Sequence, residues 1–236
     1  MAVLVVMGFS GVSWNANNEK FQQSKAASIA VTAKKATSNI NTLATIYDSL
    51  HLDSLGLSDK AFTYAIEGYE KLKEEGKLQN TSVITIVDFD QPSYKKRMYV
   101  IDVDHYKVLF NTWSAHGKNT GKETANSFSN TPETNKSSLG FYITDDTYFG
   151  SKGYSLRLTG LEKNLNDNAF ARAIVLHGAS YVSQSFINAQ GYIGRSHGCP
   201  AVPQELNKPI IEKIKNGSML FIYNKSYRPS KRFQIA

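Results

Sequence analysis

The chain reads SVITIVDF at residues 82–89, RMYVIDV at 97–103 and YKVLFNTWS at 106–114. Each segment is short and rich in β-branched or aromatic residues, and polar turn-forming residues separate it from the next, a pattern typical of strands. Four more segments of this kind follow it: GFYIT, GYSLRLTG, RAIVLHG and SMLFIY, which begin at residues 140, 153, 172 and 218. The sequence therefore predicts a sheet-dominated fold with seven strands.

The segments between these strands contain little helical periodicity. Parallel strands need long crossover connections, which are usually helical, so this scarcity favours an antiparallel β-sandwich or barrel. The main exception is a short helix predicted over 203–215, where four apolar residues keep helical spacing: Leu206, Ile210, Ile211 and Ile214. We expect a mainly β fold.

Helical patterns dominate residues 38–80, ahead of the strands. Two helices are predicted, over 39–50 and 58–77, with Ser58 as the N-cap of the second and Gly76 as its stop. We expect them to form a small N-terminal helical lobe. The predicted β domain then covers 81–226, and a short C-terminal tail covers 227–236.

The N-terminus has features of an export signal. Residues 1–16 have an apolar centre and end in the small residue Ala16, but they lack a basic start, so an apolar N-terminal strand is the alternative interpretation. Residues 17–37 are polar and predict a tether. The signal-like pattern predicts an exported envelope, periplasmic or extracellular protein. The apolar run 1–9 is too short to span a bilayer, so we predict no integral membrane span.

Composition excludes several classes of site. The 236 residues include 27 Lys and Arg against 20 Asp and Glu, which gives a net charge of +7, and a single cysteine, Cys199. One thiol cannot form an internal disulfide, a cysteine-only zinc site or an iron–sulfur site. The basic residues are scattered and no nucleic-acid motif is present, so we predict no nucleic-acid partner and expect attraction to an anionic envelope.

Two segments with histidine beside glycine indicate where chemistry occurs: LHGAS, with His177, and GRSHGCPAV, with His197 and Cys199. A thiol with its ordinary pKa of about 8.5 needs a base or a cation to act as a nucleophile at neutral pH. No histidine follows Cys199, so the base must lie upstream, which argues against papain-like and NlpC/P60-like peptidases. His197 either lines the same pocket or packs behind the thiol, and a buried, inert Cys199 is the alternative.

Neighbouring residues are candidates for supporting roles. Gly198, with Gly194, lets backbone N–H groups near Cys199 form an oxyanion site, and Arg195 either favours the thiolate, grips a substrate carboxylate or is simply a solvated loop residue. Weaker candidates for substrate binding are Tyr181, Tyr192 and His116. Histidine and cysteine spacing matches no common zinc pattern, so we predict no metal site.

Ser196-His197-Gly198-Cys199, with His177-Gly178 upstream, resembles the active-site signature of the L,D-transpeptidase (YkuD-like) family of cell-wall enzymes. The resemblance covers roughly residues 82–224 and is closest to a divergent murein L,D-transpeptidase branch. It implies an L,D-transpeptidase-like β-sandwich or barrel, no cofactor and peptidoglycan stem peptides as partners.

Carried to this chain, the resemblance implies that Cys199 is acylated, that His177 is its base and that Gly178 supplies backbone beside that base. Ser196, His197 and Gly198 would then shape the pocket and the oxyanion site. The implied reaction attacks a tetrapeptide stem and releases its terminal D-alanine. An L,D-carboxypeptidase, which uses water as acceptor, and a non-catalytic wall-binding module are the alternatives.

The chain departs from the family pattern in two places. Pro200 and Ala201 follow the cysteine, where most members carry a hydrophobic residue and then arginine or asparagine, so Arg195 is a candidate substitute for that side chain. Residues 178–195 also form a longer spacer than usual. The insert at 181–193 is therefore predicted to form a lid or a different acceptor site.

Overall fold

The computed structural model describes residues 45–234. The predicted signal segment at 1–16, the tether at 17–37 and the first residues of the helical lobe lie outside this range. Within the range, helical backbone covers residues 45–49, inside the first predicted helix. No helix in the described part of the chain is long and apolar enough to cross a membrane.

Eight strands form one sheet, and the mainly β fold is confirmed. All seven predicted strands are present, and the eighth, β7, is a three-residue strand that the sequence pattern did not reveal. The strands are β1 (Val83–Asp88), β2 (Met98–Asp102), β3 (Lys107–Thr112), β4 (Gly140–Gly150), β5 (Gly153–Gly160), β6 (Val175–Ala179), β7 (Ala201–Pro203) and β8 (Met219–Tyr223).

The strand order is β3-β2-β1-β8-β4-β5-β6-β7, which makes β3 and β7 the two edges. Just beyond β3, the Ala115 N–H donates to the Ala201 carbonyl at 2.7 Å, in an isolated antiparallel bridge to β7. This bridge joins the two edges and gives the sheet its nearly closed, barrel-like form.

The sheet is mixed, whereas the sequence favoured antiparallel pairing throughout. β1 pairs with β8, and β6 with β7, in parallel; the other five pairs are antiparallel. The connection from β6 to β7 carries a short helix, α2 (Gln184–Gln190), and α3 (Gln204–Ile214) precedes β8. α3 is the predicted 203–215 helix. α2 was not predicted, so the sequence analysis did not reveal that the chain passes through a helix and returns to form the parallel β6–β7 pair.

The long helix α1 (Asp59–Glu74) packs on the sheet. Its N-cap is Ser58, as predicted, whose Oγ accepts the N–H of the residue three positions on. Its Gly68 lies against the Phe141 ring, so closely that an added Cβ would be 2.2 Å from a ring carbon. Helix and sheet therefore share one core, and residues from Ile46 onward form one compact unit.

The C-terminal residues also pack on this core. The buried Glu162 carboxylate accepts the Tyr227 hydroxyl at 2.8 Å and the Ser230 N–H at 2.9 Å, and the Phe233 ring stacks on Phe141 with centroids 4.3 Å apart. The described part of the predicted tail is thus tied to the sheet by hydrogen bonds and ring contacts.

Candidate active site

The loop Ser196–Cys199, called here the signature loop, lies between two His-Gly pairs. On one side the Ser196 N–H donates to the His116 carbonyl at 2.9 Å, and Gly117 forms a parallel bridge with Ser196. On the other side β7, which follows the loop, pairs in parallel with β6, where His177 faces Ala201. Both neighbours therefore fix the loop through backbone contacts.

Within the signature loop, hydrogen bonds hold a tight turn. The buried Ser196 hydroxyl donates to the Cys199 carbonyl at 2.7 Å and accepts the Gly198 N–H at 3.0 Å. Gly198 has φ +128°, and an added Cβ would lie 2.8 Å from the Lys136 carbonyl oxygen, so only glycine suits this position. This turn presents the Cys199 side chain.

The same contacts narrow the choice of oxyanion donors. The Gly198 N–H is engaged by Ser196 Oγ, whereas the Cys199 N–H donates to no other described residue and lies against its own sulfur. The Cys199 N–H is therefore the backbone donor that remains for an oxyanion formed at the thiol.

The thiol lies against the beginning of β6. Cys199 is half-buried, and its Sγ–H donates to the Ala173 carbonyl at 3.7 Å. The strand register places Ala201, two residues after Cys199, opposite His177 of β6. The thiol and His177 are therefore brought to the same two neighbouring strands.

His177 is 3% exposed and its tautomer follows from its hydrogen bond. Nδ1 lies 3.0 Å from the Gly178 carbonyl oxygen, which only accepts, so Nδ1 carries the proton. Nε2 has a free lone pair and no hydrogen-bond partner among the described residues. Burial lowers the pKa of His177, the bond to Gly178 opposes that shift, and the Lys152 ammonium lowers the pKa further. The ring is thus a neutral proton acceptor at neutral pH.

Opposing influences act on the thiol. Burial raises the pKa of Cys199, while the Val175 N–H, the Arg172 guanidinium and the Lys152 ammonium lower it. Sequence reasoning missed Arg172 and Lys152. Arg172 opens the strand segment that contains His177, and that proximity was the available signal; Lys152, in the turn between β4 and β5, gave none.

Two predicted site residues on the signature segment make no hydrogen bond to Cys199 or His177. His197 is exposed and hydrogen-bonds to no residue in 45–234. Arg195 is exposed too, and its Nη1 donates to the carbonyls of Lys118 and Gly121, each at 3.2 Å. The cations that act on the thiol are therefore on other elements.

His116, a weaker candidate, is fully buried behind the signature loop. Its Nδ1 accepts from Arg97 Nη2 at 2.7 Å, and its Nε2 donates to the Gly121 carbonyl at 3.2 Å. Burial, followed by the nearby Arg97 charge, lowers the pKa of His116 to about 3. Both ring nitrogens are therefore hydrogen-bonded inside the protein, and the ring does not face solvent.

The two candidate tyrosines have different surroundings. Tyr181 is half-buried; burial, followed by the charge of Cys199, raises the pKa of Tyr181 to about 12. Its Cβ would lie 2.5 Å from a Cβ on Gly194. Tyr192 instead carries the Lys122 ammonium over its ring, 5.4 Å from the centroid.

The insert at 181–193 is anchored at both ends. Its residues Val182 and Ile193 are buried in a small apolar cluster with Ala115, Ala179 and Ala201, while α2 between them buries no residue. The insert therefore covers the sheet next to β7.

Gly178 allows α3 to approach β6, because an added Cβ would lie 2.9 Å from Asn207 Cβ. No group of three or more His, Cys, Asp or Glu side chains gathers as a metal site among residues 45–234.

A family model described as an L,D-transpeptidase catalytic domain matches residues 53–223. The chain is also similar to solved L,D-transpeptidases, at 13% identity and TM-score 0.39 for one from Mycobacterium smegmatis, and 14% and 0.36 for one from Mycobacterium tuberculosis. For one from Xylanimonas cellulosilytica the values are 16% and 0.35.

These three matches cover 60–61% of this chain and 58–60% of the solved chains, so the chain spans about three-fifths of their length. No curated protein sequence matches the chain. The family match includes every element of the site described above.

Proposed function

The chain belongs to the L,D-transpeptidase catalytic domain family, and on that premise we propose that it is a cysteine-dependent peptidoglycan L,D-transpeptidase. The donor is a tetrapeptide stem whose terminal D-alanine is released. The observation that supports this proposal is the contact of the Cys199 thiol with the Ala173 carbonyl, just before the strand that contains His177, whose Nε2 is free to accept a proton.

In the proposed acylation, His177 Nε2 takes the proton of the Cys199 thiol as the sulfur attacks the carbonyl carbon before D-alanine. A C–S bond forms, and the carbonyl oxygen becomes an oxyanion beside the Cys199 N–H. The C–N bond then breaks, and the imidazolium returns its proton to the departing amine. D-alanine leaves, and the stem remains as a thioester on Cys199.

In the second half of the cycle an amine of another stem attacks the thioester. The new C–N bond forms as the C–S bond breaks, His177 removes the proton of the attacking amine, and the thiol is restored. Burial keeps His177 neutral between steps, and a neutral imidazole is the form that accepts a proton.

The reaction is tested by incubating the protein with a disaccharide-tetrapeptide, alone and with an amine acceptor, and analysing the products by mass spectrometry. Cys199→Ala is the matched control, because it removes only the sulfur. We expect free D-alanine and an amide-linked product with the wild type alone. A tripeptide as the main product despite the acceptor would indicate a carboxypeptidase, and a folded protein without any product would contradict the proposal.

We also propose that the protein acts in the cell envelope after export. The signal-like pattern of residues 1–16 and the net charge of +7 support this location. Fractionation of cells that express the full chain tests it: we expect the protein in the envelope or outside the cell, and recovery only from the cytoplasm would contradict the proposal.

A further inference from the structure

The signature loop has no cation of its own that reaches the thiol. The residues that follow the cysteine, Pro200 and Ala201, carry no charge, and Arg195 is held by the carbonyls of Lys118 and Gly121. We propose that Arg172, from the segment before β6, is the positioning residue that supplies this charge and favours removal of the Cys199 thiol proton by His177. This inference rests on the proposed function for its role in acyl transfer.

Arg172 adjoins the thiol through backbone and side chain. The carbonyl of the next residue, Ala173, accepts the Cys199 Sγ–H at 3.7 Å. The Arg172 Nη2 lies 3.4 Å from the position that a Cβ on Gly198 would occupy, next to Cys199 in the chain. Arg172 therefore lies beside Ala173 and Gly198, the two residues whose backbone adjoins the thiol.

Ala173 adopts an unusual backbone conformation at this point. Its φ is +52°, in the left-handed region that residues with a Cβ rarely enter, and its N–H donates to the Phe170 carbonyl at 3.0 Å. This turn aims the Ala173 carbonyl at the sulfur. Strained backbone is concentrated at functional sites, and here it lies between the arginine and the strand that contains His177.

Two further hydrogen bonds fix the guanidinium. Nη2 donates to the Lys136 carbonyl at 2.6 Å, and Nη1 donates to the Ser129 carbonyl at 2.8 Å. The neighbouring Ser137 hydroxyl donates to the Gly198 carbonyl at 3.0 Å. The planar guanidinium, with five donors in a fixed arrangement, makes both carbonyl contacts and keeps further N–H groups, whereas a lysine ammonium is a point charge without this fork.

The other groups around the thiol do not replace this charge. Lys152 is exposed in a turn, Tyr181 is neutral, His177 is neutral, and His197 is exposed without a hydrogen bond among the described residues. A cation close to a thiol lowers its pKa, whereas burial raises it. Removing Arg172 therefore takes away one of the groups that counteract the effect of burial on the thiol pKa. The pKa of Cys199 should rise, so that more of the thiol is protonated at a given pH.

The test is the pH dependence of alkylation by iodoacetamide, which needs no peptide substrate. Cys199 is the only cysteine, so incorporation measured by intact mass reports this thiol alone. We expect Arg172→Gln to shift the midpoint of the alkylation profile upward by about one pH unit or more. Arg195→Gln is the matched control: it also removes an arginine that holds two loop carbonyls, and we expect no shift.

Conservative and neutral variants separate charge from structure. Arg172→Lys keeps the charge but cannot hold both carbonyls, so its midpoint is expected between those of the wild type and Arg172→Gln. Arg172→Met, which keeps the apolar stem, should match Arg172→Gln. Thermal unfolding identifies the variants that fold, and a folded Arg172→Gln or Arg172→Met whose midpoint equals that of the wild type overturns the proposal.

The two proposals can fail separately. D-alanine release by the wild type together with an unshifted Arg172→Gln profile would overturn the role of Arg172 and leave the proposed reaction intact. A shifted profile without any D-alanine release would support Arg172 as the residue that supplies the positive charge near the thiol, and it would overturn the proposed donor.

Discussion

His177–Gly178 and His116–Gly117 are the same dipeptide on opposite sides of the signature loop, and both contact it through the backbone. Their ring environments differ. His177 uses Nδ1 for the adjacent Gly178 carbonyl and leaves Nε2 free, whereas His116 uses Nδ1 for Arg97 and Nε2 for the Gly121 carbonyl. The two dipeptides therefore differ in one respect that matters for proton transfer: only His177 has an unused ring nitrogen.

The two histidines also differ in how strongly the surrounding structure disfavours their protonated form. Burial lowers the pKa of both, but the adjacent Arg97 guanidinium lowers the pKa of His116 further, to about 3. A group held neutral that strongly cannot cycle between protonated and neutral forms near pH 7. This comparison supports the proposal that His177 transfers the proton while His116 has a structural role, and each prediction below tests one side of it.

The largest expected effect is on the reaction rate of His177→Gln. Loss of a general base lowers rates by about 10²–10⁴-fold. The initial rate of D-alanine release measures it, with the thermal midpoint as the check on folding. A rate within tenfold of the wild type would shift the assignment of the base away from His177.

The acid limb of stability is expected to depend on His116. Its folded pKa, about 3, lies below the ordinary value of 6.5, so the unfolded chain binds more protons between these pH values. Stability is therefore fully present above pH 6.5 and falls as the pH drops toward 3, by up to about 1.4 kcal/mol per pH unit. Urea unfolding of the wild type and His116→Gln across this window measures the difference; parallel curves would contradict the account.

At neutral pH, His116→Ala is expected to lower the free energy of unfolding by about 1–3 kcal/mol, because a buried Arg97 N–H loses its partner. The pH profile of Cys199 alkylation should stay close to that of the wild type. Urea unfolding at pH 7.5 and the alkylation assay provide the two readings. Unchanged stability would show that the network contributes nothing, and a large alkylation shift would place His116 in the reaction.

The smallest expected effect separates the two glycines. A Cβ on Gly117 would lie 2.4 Å from the Asn135 carbonyl oxygen, which is backbone, while a Cβ on Gly178 would first meet the Asn207 side chain at 2.9 Å. Side chains yield more easily than backbone, so Gly117→Ala should destabilise by about 1–3 kcal/mol and Gly178→Ala by less. Denaturant unfolding of both variants compares them, and the reverse order would contradict the packing described.

The sequence predicted most of the fold because strands and helices have local signatures. The period of β1 to β6 and β8, the Ser58 cap of α1 and the spacing in α3 all lie within short windows. β7 is three residues long and ends in proline, so it carries no such signature. The parallel pairing of β1 with β8 joins residues far apart in the chain, which no local pattern encodes.

The candidate site was predictable where chemistry is concentrated in one segment. The single cysteine and the upstream histidine were both proposed from their residue types and order, and their catalytic roles stay predictions. The partners of Arg172 and His116 were not, because they come from the loop around 129–138 and from Arg97, which only the folded sheet brings to the signature loop. Fold-dependent hydrogen bonds thus separate the residues that surround a thiol from those that merely flank it in sequence.

The most direct test of the account is intact-protein mass spectrometry after brief incubation with a disaccharide-tetrapeptide. The wild type should gain the mass of the donor less D-alanine, as a thioester on Cys199. His177→Gln should gain it far more slowly, and Cys199→Ala not at all. An adduct of the same mass on Cys199→Ala, or equal acylation rates for the wild type and His177→Gln, would contradict the assignment of nucleophile and base.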